Sequence, residues 1–376
     1  MIKKDACSQK VCFFLPSLEG GGAQKVMVHL ANGFSNKGFE VDLVLVTAEG
    51  PYLKLLQNKV NIIDLKSDGV IAGLPKLIRY LKSEKPMSVL STQEHSNIVA
   101  ILACLFARNK SKVFVRLVNF PIQNSYFHQY PPSKKLQSYL VPRLARFLYP
   151  FANGIIAPSG ELAQEYIDIY RLPREKVLTV YNPAITSELL AKCNEPLDHP
   201  WFGSDQPPVI LGVGRLTLQK DFTTLLRAFQ KARNVQPIRL IILGEGEERP
   251  KLEALAQDLN IAADVDFPGF VDNPYCYMKR SSLFVLSSLW EGMPNVLLEA
   301  MACGIPVVAT DCKTGPKEIL ESGKWGELVP VGDIGTLANS ILVSLNGFTK
   351  TPSKDYMESR FGINSILDQY IRILTN

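Results

Sequence analysis

The sequence is short of several things that would each have pointed to a function. It has four histidines, His29, His95, His128 and His199, and they form no ligand-spaced cluster, which argues against a dedicated zinc site. Seven cysteines are scattered as Cys7, Cys12, Cys104, Cys193, Cys276, Cys303 and Cys312, an odd number with no C-x-x-C pair. Most fall in apolar segments, as reduced core thiols do, so a disulfide framework is not expected. The longest clean apolar run, Ile98 to Ala107, is about half of what spans a bilayer. The basic start Met1-Ile2-Lys3-Lys4 precedes an apolar run, Val11 to Leu15, too short for a signal-peptide core. These points predict a soluble cytoplasmic protein, at most attached to a membrane surface. No G-x-G-x-x-G turn, P-loop or low-complexity tract occurs, and basic residues are not interleaved with aromatics in a compact motif, so nucleic acid is not an expected partner.

What is present is patterned. The chain has 376 residues, 46% hydrophobic and 20% charged, which suits two ordinary α/β domains. Short runs rich in Val, Ile and Leu alternate with stretches of helical period, the mark of βαβ units. Strands are expected near Val11–Pro16, Val41–Thr47, Val60–Asp64, Ser88–Ser91, Lys112–Leu117, Gly154–Ala157 and Lys176–Val180. The pattern restarts near Val209–Val213, Arg239–Leu243, Val265–Phe267, Leu283–Leu286, Pro306–Ala309 and Gly326–Val329. Such runs are buried on both faces, so the sheets should be parallel with helices on each side. Five prolines between Asn182 and Pro208 suggest a linker. The expected division is residues 1–185, residues 186–355, and a final helix over Tyr356–Leu374. Residues 1–185 hold 23 basic and 13 acidic side chains, whereas the rest hold 18 and 23, so a basic domain is joined to an acidic one.

Ligands of open parallel sheets sit beyond the carboxyl ends of the strands, and four segments fall there. Gly20-Gly21-Gly22 lies between a strand and a helix, and serves either as a ligand loop or as a tight turn. Gly212-Val213-Gly214-Arg215, with Lys220 five residues on, offers a planar guanidinium fork and a mobile ammonium to a diphosphate. Two solvated loop cations are the plain alternative. In Glu291-Gly292-Met293-Pro294-Asn295-Val296, a proline suited to a helix start follows a glycine and an acid. Glu299 comes eight residues after Glu291, about two turns if the helix is continuous. Carboxylates accept hydrogen bonds from sugar hydroxyls, and a helix N-terminus suits phosphate. Thr314 to Ile319 is a fourth turn, a closing loop or an ordinary connection.

With these residues in place, the chain resembles the family 4 glycosyltransferases of GT-B fold. The block Glu291 to Val308 is similar to that family's E-x7-E segment, and the likeness extends over Gly20–Gly22, Tyr181-Asn182-Pro183, Gly212–Arg215 with Lys220, Gly244-Glu245-Gly246 and Gly315–Ile319. The resemblance implies two Rossmann-like parallel-sheet domains facing a central cleft. It implies a retaining transfer of a hexose or N-acetylhexosamine from a nucleotide-diphosphate sugar, a UDP-sugar by family frequency, with no cofactor and no metal. By the same resemblance Arg215 and Lys220 hold the diphosphate, Glu291 contacts the transferred sugar, and Glu299 holds the ribose. Backbone around Gly292, Met293, Pro294, Asn295 and Val296 approaches sugar and phosphate, Gly21 and Gly22 close on the diphosphate, and Phe270 and Val271 lie by the base. Two positions depart from the pattern. Gln24 stands where an acid is common, and Asn119 is the nearest residue to a frequent cleft histidine, with His95 able to serve instead. The acceptor is expected to be a glycan or a lipid-linked acceptor in cell-surface glycan assembly. The basic amphipathic stretch Pro132–Tyr149, carrying Lys134, Lys135, Arg143 and Arg146, fits either an anionic membrane face or a solvated helix edge. A nucleotide-sugar epimerase of the same architecture, a dinucleotide oxidoreductase and a non-catalytic nucleotide-binding protein are the competing readings.

Overall fold

The computed structural model describes residues 9–119, 132–347 and 350–376. The chain divides into two compact units, residues 1–183 with 363–376, and residues 184–362.

The first unit runs β1 (Lys10–Leu15), α1 (Gly22–Asn36), β2 (Glu40–Leu45), β3 (Val60–Asp64), α2 (Leu74–Glu84), β4 (Ser88–Thr92) and α3 (Glu94–Ala107). It continues with β5 (Lys112–Arg116), α4 (Pro132–Leu148), β6 (Gly154–Ala157), α5 (Gly160–Tyr170) and β7 (Val177–Thr179). The strands form a parallel sheet of order β3-β2-β1-β4-β5-β6-β7. Phe13 of β1 pairs in register with Leu43 and Leu90 on its two sides, and all three are fully buried. A strand with every residue buried cannot alternate apolar and polar, which is why Val11-Cys12-Phe13-Phe14-Leu15 reads as a continuous apolar run.

The second unit opens with α6 (Ser187–Lys192) and runs β8 (Val209–Val213), α7 (Phe222–Arg233), β9 (Arg239–Leu243), α8 (Arg249–Asp258), β10 (Val265–Gly269), α9 (Tyr275–Arg280) and β11 (Leu283–Leu286). Then come α10 (Asn295–Ala302), β12 (Val307–Thr310), α11 (Pro316–Ile319), β13 (Glu327–Val329), α12 (Ile334–Leu345) and α13 (Lys354–Phe361). Its parallel sheet has the order β10-β9-β8-β11-β12-β13. All thirteen strands among the described residues fall where the apolar runs placed them.

Two expectations about helices change. The proline-rich segment taken as a linker contains α6, because Thr186 caps it: its Oγ1 accepts from Leu189 N–H at 3.1 Å. The single helix expected over Tyr356–Leu374 is two, α13 and α14 (Ile363–Thr375), broken at Gly362. A β-carbon there would lie 2.3 Å from the Glu358 carbonyl oxygen, so only glycine fits the close turn. The unit boundaries accordingly fall at 183/184 and 362/363, not at 185/186 and 355/356.

α13 stays with the second unit through Tyr356, whose hydroxyl donates to Glu321 at 2.5 Å, and Arg360, which pairs with the same carboxylate at 2.7 Å. α14 returns to the first unit. Its Ile366, Leu367, Tyr370 and Leu374 are buried on one face, in the core that includes α1 and β1. Gly33 of α1 makes room for Leu367, since a β-carbon there would sit 2.8 Å from its Cδ2. Burying each of those aliphatic side chains is worth roughly 2 kcal/mol.

Candidate active site

In the second unit the direction of strand succession reverses between β8 and β11. Loops leaving the carboxyl ends of such a pair diverge to opposite faces and open a crevice. Arg215, Lys220 and Glu291, singled out above, are on those two loops.

After β8 the chain passes Gly214 and Arg215, makes a single tight turn over Leu218–Lys220, and enters α7 at Asp221. Asp221 adopts a left-handed conformation, φ 45°, and its carboxylate accepts from Thr224 N–H at 3.2 Å. That cap fixes where Lys220 leaves the backbone. The loop after β11 is stitched to it. Leu289 N–H donates to the Gln219 carbonyl at 2.8 Å, the Gln219 side-chain amide donates to the Trp290 carbonyl at 2.9 Å, and Ser287 Oγ donates to the Lys220 carbonyl at 2.7 Å. Held this way, Lys220 Nζ lies 2.5 Å from Glu291 Oε1, which also accepts from Ser288 Oγ at 2.7 Å. The side chains are 17% and 7% exposed, so this is a largely buried ion pair and not two solvated groups. Arg215, on the same loop, is exposed.

The loop after β12 forms a third wall. Thr314 Oγ1 donates to the Glu291 carbonyl, and Thr310 Oγ1 donates to the Ser288 carbonyl at 2.6 Å. Gly315, at φ 94°, abuts the segment before α10: a β-carbon would lie 2.7 Å from Pro294 Cδ and 3.0 Å from the Gly292 oxygen. Gly244 packs equally closely after β9, where a β-carbon at φ 137° would fall 2.0 Å from the Gly214 oxygen. Both glycines are therefore required by close backbone approach in the left-handed region.

α10 begins at Asn295, with Pro294 at its N-cap in an extended conformation and no side-chain cap. Glu291 is thus in the loop, and the two-turn spacing expected between it and Glu299 does not apply; only Glu299 lies on the helix. Glu299 is buried and accepts from the Tyr275 hydroxyl of α9 at 3.2 Å. Gly292, Met293 and Pro294 are buried, while Asn295 and Val296 are half-buried. Phe270, at the end of β10, is 60% exposed, and Val271 is half-buried.

The remaining candidates belong to the first unit. Gly21 (φ 118°) precedes α1 and Gly22 begins it, at the end of β1, with Gln24 buried behind them. His95 is exposed on the first turn of α3, and Asn119 is exposed after β5. Beneath them lies a polar cluster that sequence reasoning missed. Glu94 accepts from Tyr166 at 2.9 Å and Tyr170 at 3.2 Å, and the Tyr166 hydroxyl is also 3.3 Å from the Asn119 carbonyl. Burial, and then the Glu94 charge, pushes the Tyr149, Tyr166 and Tyr170 hydroxyls far above the ordinary tyrosine range, so they remain donors. Arg116 is 1% exposed, donates to Asn182 Oδ1 and, at 3.4 Å, to Thr92 Oγ1, and leaves Nε without a partner. No carboxylate among the described residues pairs with it. Ser288, Tyr275 and Tyr166 carry no signal in a lone sequence, since each finds its partner only through the fold.

The family model described as Glycosyl transferases group 1 matches residues 197–350, and that described as Glycosyltransferase Family 4 matches residues 20–188. The chain belongs to the GT4-type, GT-B glycosyltransferases. Relatives of this glycosyltransferase agree. It is 32% identical over 252 residues to an uncharacterized glycosyltransferase of Methanocaldococcus jannaschii, a match spanning 65% of this chain and 60% of that one. It is 29% identical over 357 residues, 90% of each chain, to a Campylobacter jejuni enzyme named N-acetylgalactosamine-N,N'-diacetylbacillosaminyl-diphospho-undecaprenol 4-alpha-N-acetylgalactosaminyltransferase. Anabaena HepE, solved with UDP-glucose, shares the fold with a TM-score of 0.78 at 22% identity, covering 97% of this chain and 99% of that one. Among the described residues, no helix is long and apolar enough to cross a membrane.

Proposed function

We propose that this glycosyltransferase moves a hexose or N-acetylhexosamine from a UDP-sugar to a lipid-linked glycan acceptor, with retention of anomeric configuration and without a metal ion. The observation that carries the reading is the Lys220–Glu291 pair, buried at the reversal point of the second sheet with Arg215 exposed on the same loop. A glycosidic carbon that becomes oxocarbenium-like needs its departing diphosphate stabilised, and preorganised cations do this most economically. Arg215 supplies a fork for phosphate oxygens. Lys220 is already held by Glu291, so it shares its charge between that carboxylate and the diphosphate. Glu291 then keeps Lys220 aimed and accepts from hydroxyls of the transferred sugar. Glu299, braced by Tyr275, accepts from the ribose. No carboxylate need attack the sugar, in contrast to the two-carboxylate scheme of retaining glycosidases; the leaving phosphate takes the acceptor's proton on the same face. Gly21, Gly22, His95 and Asn119 are assigned to the closing loop and the acceptor side, and Phe270 and Val271 to the base.

The lipid-linked acceptor is supported by the diphospho-undecaprenol in the Campylobacter relative's name. Surface chemistry of the first unit supports a cytoplasmic membrane face as the place of work. Phe106 on α3 (59% exposed) and Phe147 on the neighbouring α4 (70% exposed) stand out with Leu140, Leu144 and Phe151, alongside Arg143 and Arg146. Aromatic and aliphatic side chains beside arginines are what an anionic interface binds. The side chains of residues 132–139, Lys134 and Lys135 among them, lie outside the described residues, as do Met1 to Lys4. Vesicles containing phosphatidylglycerol should sediment the protein, and Phe147→Ser with Phe106→Ser should release it.

The test of the donor site is thermal stability against UDP, GDP, ADP and NAD, with and without EDTA. A ligand at a hundred times its dissociation constant stabilises by about 2.7 kcal/mol. The expected result is a shift with UDP that survives EDTA. A shift with NAD alone, or one with UDP that EDTA removes, would overturn the reading.

A further inference from the structure

Two buried cysteines of the second unit meet behind α10. Cys193 closes α6 and Cys303 closes α10, and their sulfurs are 2.9 Å apart although 110 residues separate them in sequence. A disulfide bond is about 2.05 Å long, so the sulfurs need to approach by less than roughly 1 Å. Nothing in the sequence pairs them, since Cys193 sits in the proline-rich segment and Cys303 follows the acid-rich block.

The neighbourhood is built to hold them together. Asn273 donates to the Lys192 carbonyl at 3.0 Å and to Glu195 at 2.7 Å, and Arg280 donates to the Glu195 carbonyl at 2.8 Å, so α6 is tied to α9. Lys279 donates to the Cys303 carbonyl at 3.3 Å, tying α9 to the end of α10. Cys303 N–H donates to the Glu299 carbonyl at 3.0 Å, one turn from the carboxylate that Tyr275 braces.

We propose that Cys193 and Cys303 are a peroxide-sensitive dithiol whose oxidation to a disulfide alters the hold of α10 on the donor, the second part resting on the donor-site assignment above. In the first step the Cys193 thiolate attacks one oxygen of hydrogen peroxide, the O–O bond breaks, hydroxide leaves, and Cys193 becomes a sulfenic acid. In the second, Cys303 sulfur attacks the sulfenic sulfur, its proton and the sulfenic hydroxyl leave as water, and the S–S bond forms. Two thiols and one peroxide thus give one disulfide and two waters. The order of events follows from the electrostatics: the hydrogen bond from Cys303, aided by the Lys279 ammonium, lowers the Cys193 thiol. The same bond, with burial and the nearby Glu299 charge, raises Cys303. Cys276 and Cys312 of the same unit are each raised by burial and sit beside no second thiol, so they should stay reduced.

The experiment treats the full chain with hydrogen peroxide, alkylates the remaining thiols, and maps the peptides. The expected product is a Cys193–Cys303 cross-link that dithiothreitol reverses and that is absent from both Cys193→Ser and Cys303→Ala. Its absence, with both residues still alkylated or singly oxidised, would overturn the proposal. The UDP-induced shift of the melting midpoint is then compared before and after oxidation, with Cys193→Ser as control. A change in the wild type and none in the variant supports coupling to α10. Equal shifts before and after oxidation would refute that coupling. If UDP shifts neither form, the donor assignment fails, while the peptide map still judges the dithiol.

Discussion

The carboxyl ends of the two sheets treat charge in opposite ways. In the second unit Arg215 is exposed, and Lys220 and Glu291 form a pair at the rim of the β8 and β11 loops. In the first unit Arg116, the last residue of β5, is fully buried, and Glu94, which opens α3 after β4, is half-buried among tyrosines. Arg116 donates to the side chains of Thr92 and Asn182, the latter just before the chain leaves that unit, so its charge joins segments of the fold. The second unit keeps an exposed cation, Arg215, on the same loop as its largely buried Lys220–Glu291 pair. A charge on a strand end is therefore evidence of a binding site only when its partner arrangement leaves a face open.

Six substitutions sharpen that contrast. Arg215→Ala should lower turnover by about a hundredfold or more, in the range seen when one preorganised donor is removed, with the melting midpoint unchanged. Lys220→Ala should lose as much turnover and also roughly 2 kcal/mol of stability, less than a fully buried pair would cost. Near-normal turnover in either variant would break the assignment. Arg116→Ala should do the reverse. It opens a cavity and removes a donor from Asn182 and Thr92, costing about 3 kcal/mol in denaturant titration, while UDP binding by the second unit is retained. Loss of UDP affinity there would erase the distinction between the units.

Glu299→Ala should weaken UDP about tenfold by calorimetry, the value of one hydrogen bond to a charged group, with little change in transfer at saturating donor. Glu291→Gln, by contrast, should lower transfer without weakening UDP. The smallest effect concerns the surface network that holds α13. Lys324 and Tyr356, by hydrogen bonds, lower the Glu321 carboxyl from 4.5 to about 2. A depressed folded pKa gives stability that is present above the unfolded value and is lost as pH falls toward the folded one. Glu321→Gln should therefore lower stability by a constant amount above pH 4.5 and flatten the curve between pH 4.5 and 2, where the two proteins converge.

The sheets were readable in advance because inner strands such as β1, β6, β11 and β12 are buried apolar runs, whereas the outer strands β3 and β7 are largely exposed and were marked only by their Val, Ile and Leu content. Arg215, Lys220, Glu291 and Glu299 were legible as candidates because glycine and proline punctuate the segments around them. Ser288 and Tyr275 were not, because a serine or tyrosine acquires its partner from loop closure and helix packing, neither of which has a local signature. The two-helix ending was hidden by continuous apolar periodicity: Met357 and Phe361 face one core, Ile366 and Tyr370 another, and only Gly362 marks the change.

That break at Gly362 has a consequence for biosynthesis. Residues 1–183 emerge from the ribosome first, yet the Leu367, Tyr370 and Leu374 side chains that complete their core arrive only after residues 184–362 have been made. The part translated first is thus finished last, with an apolar groove on α1 waiting through the synthesis of an entire second unit. The interposed unit, closed in sequence, can mature meanwhile, and a ribosome stalled before Ile363 would display the two in very different states of completion.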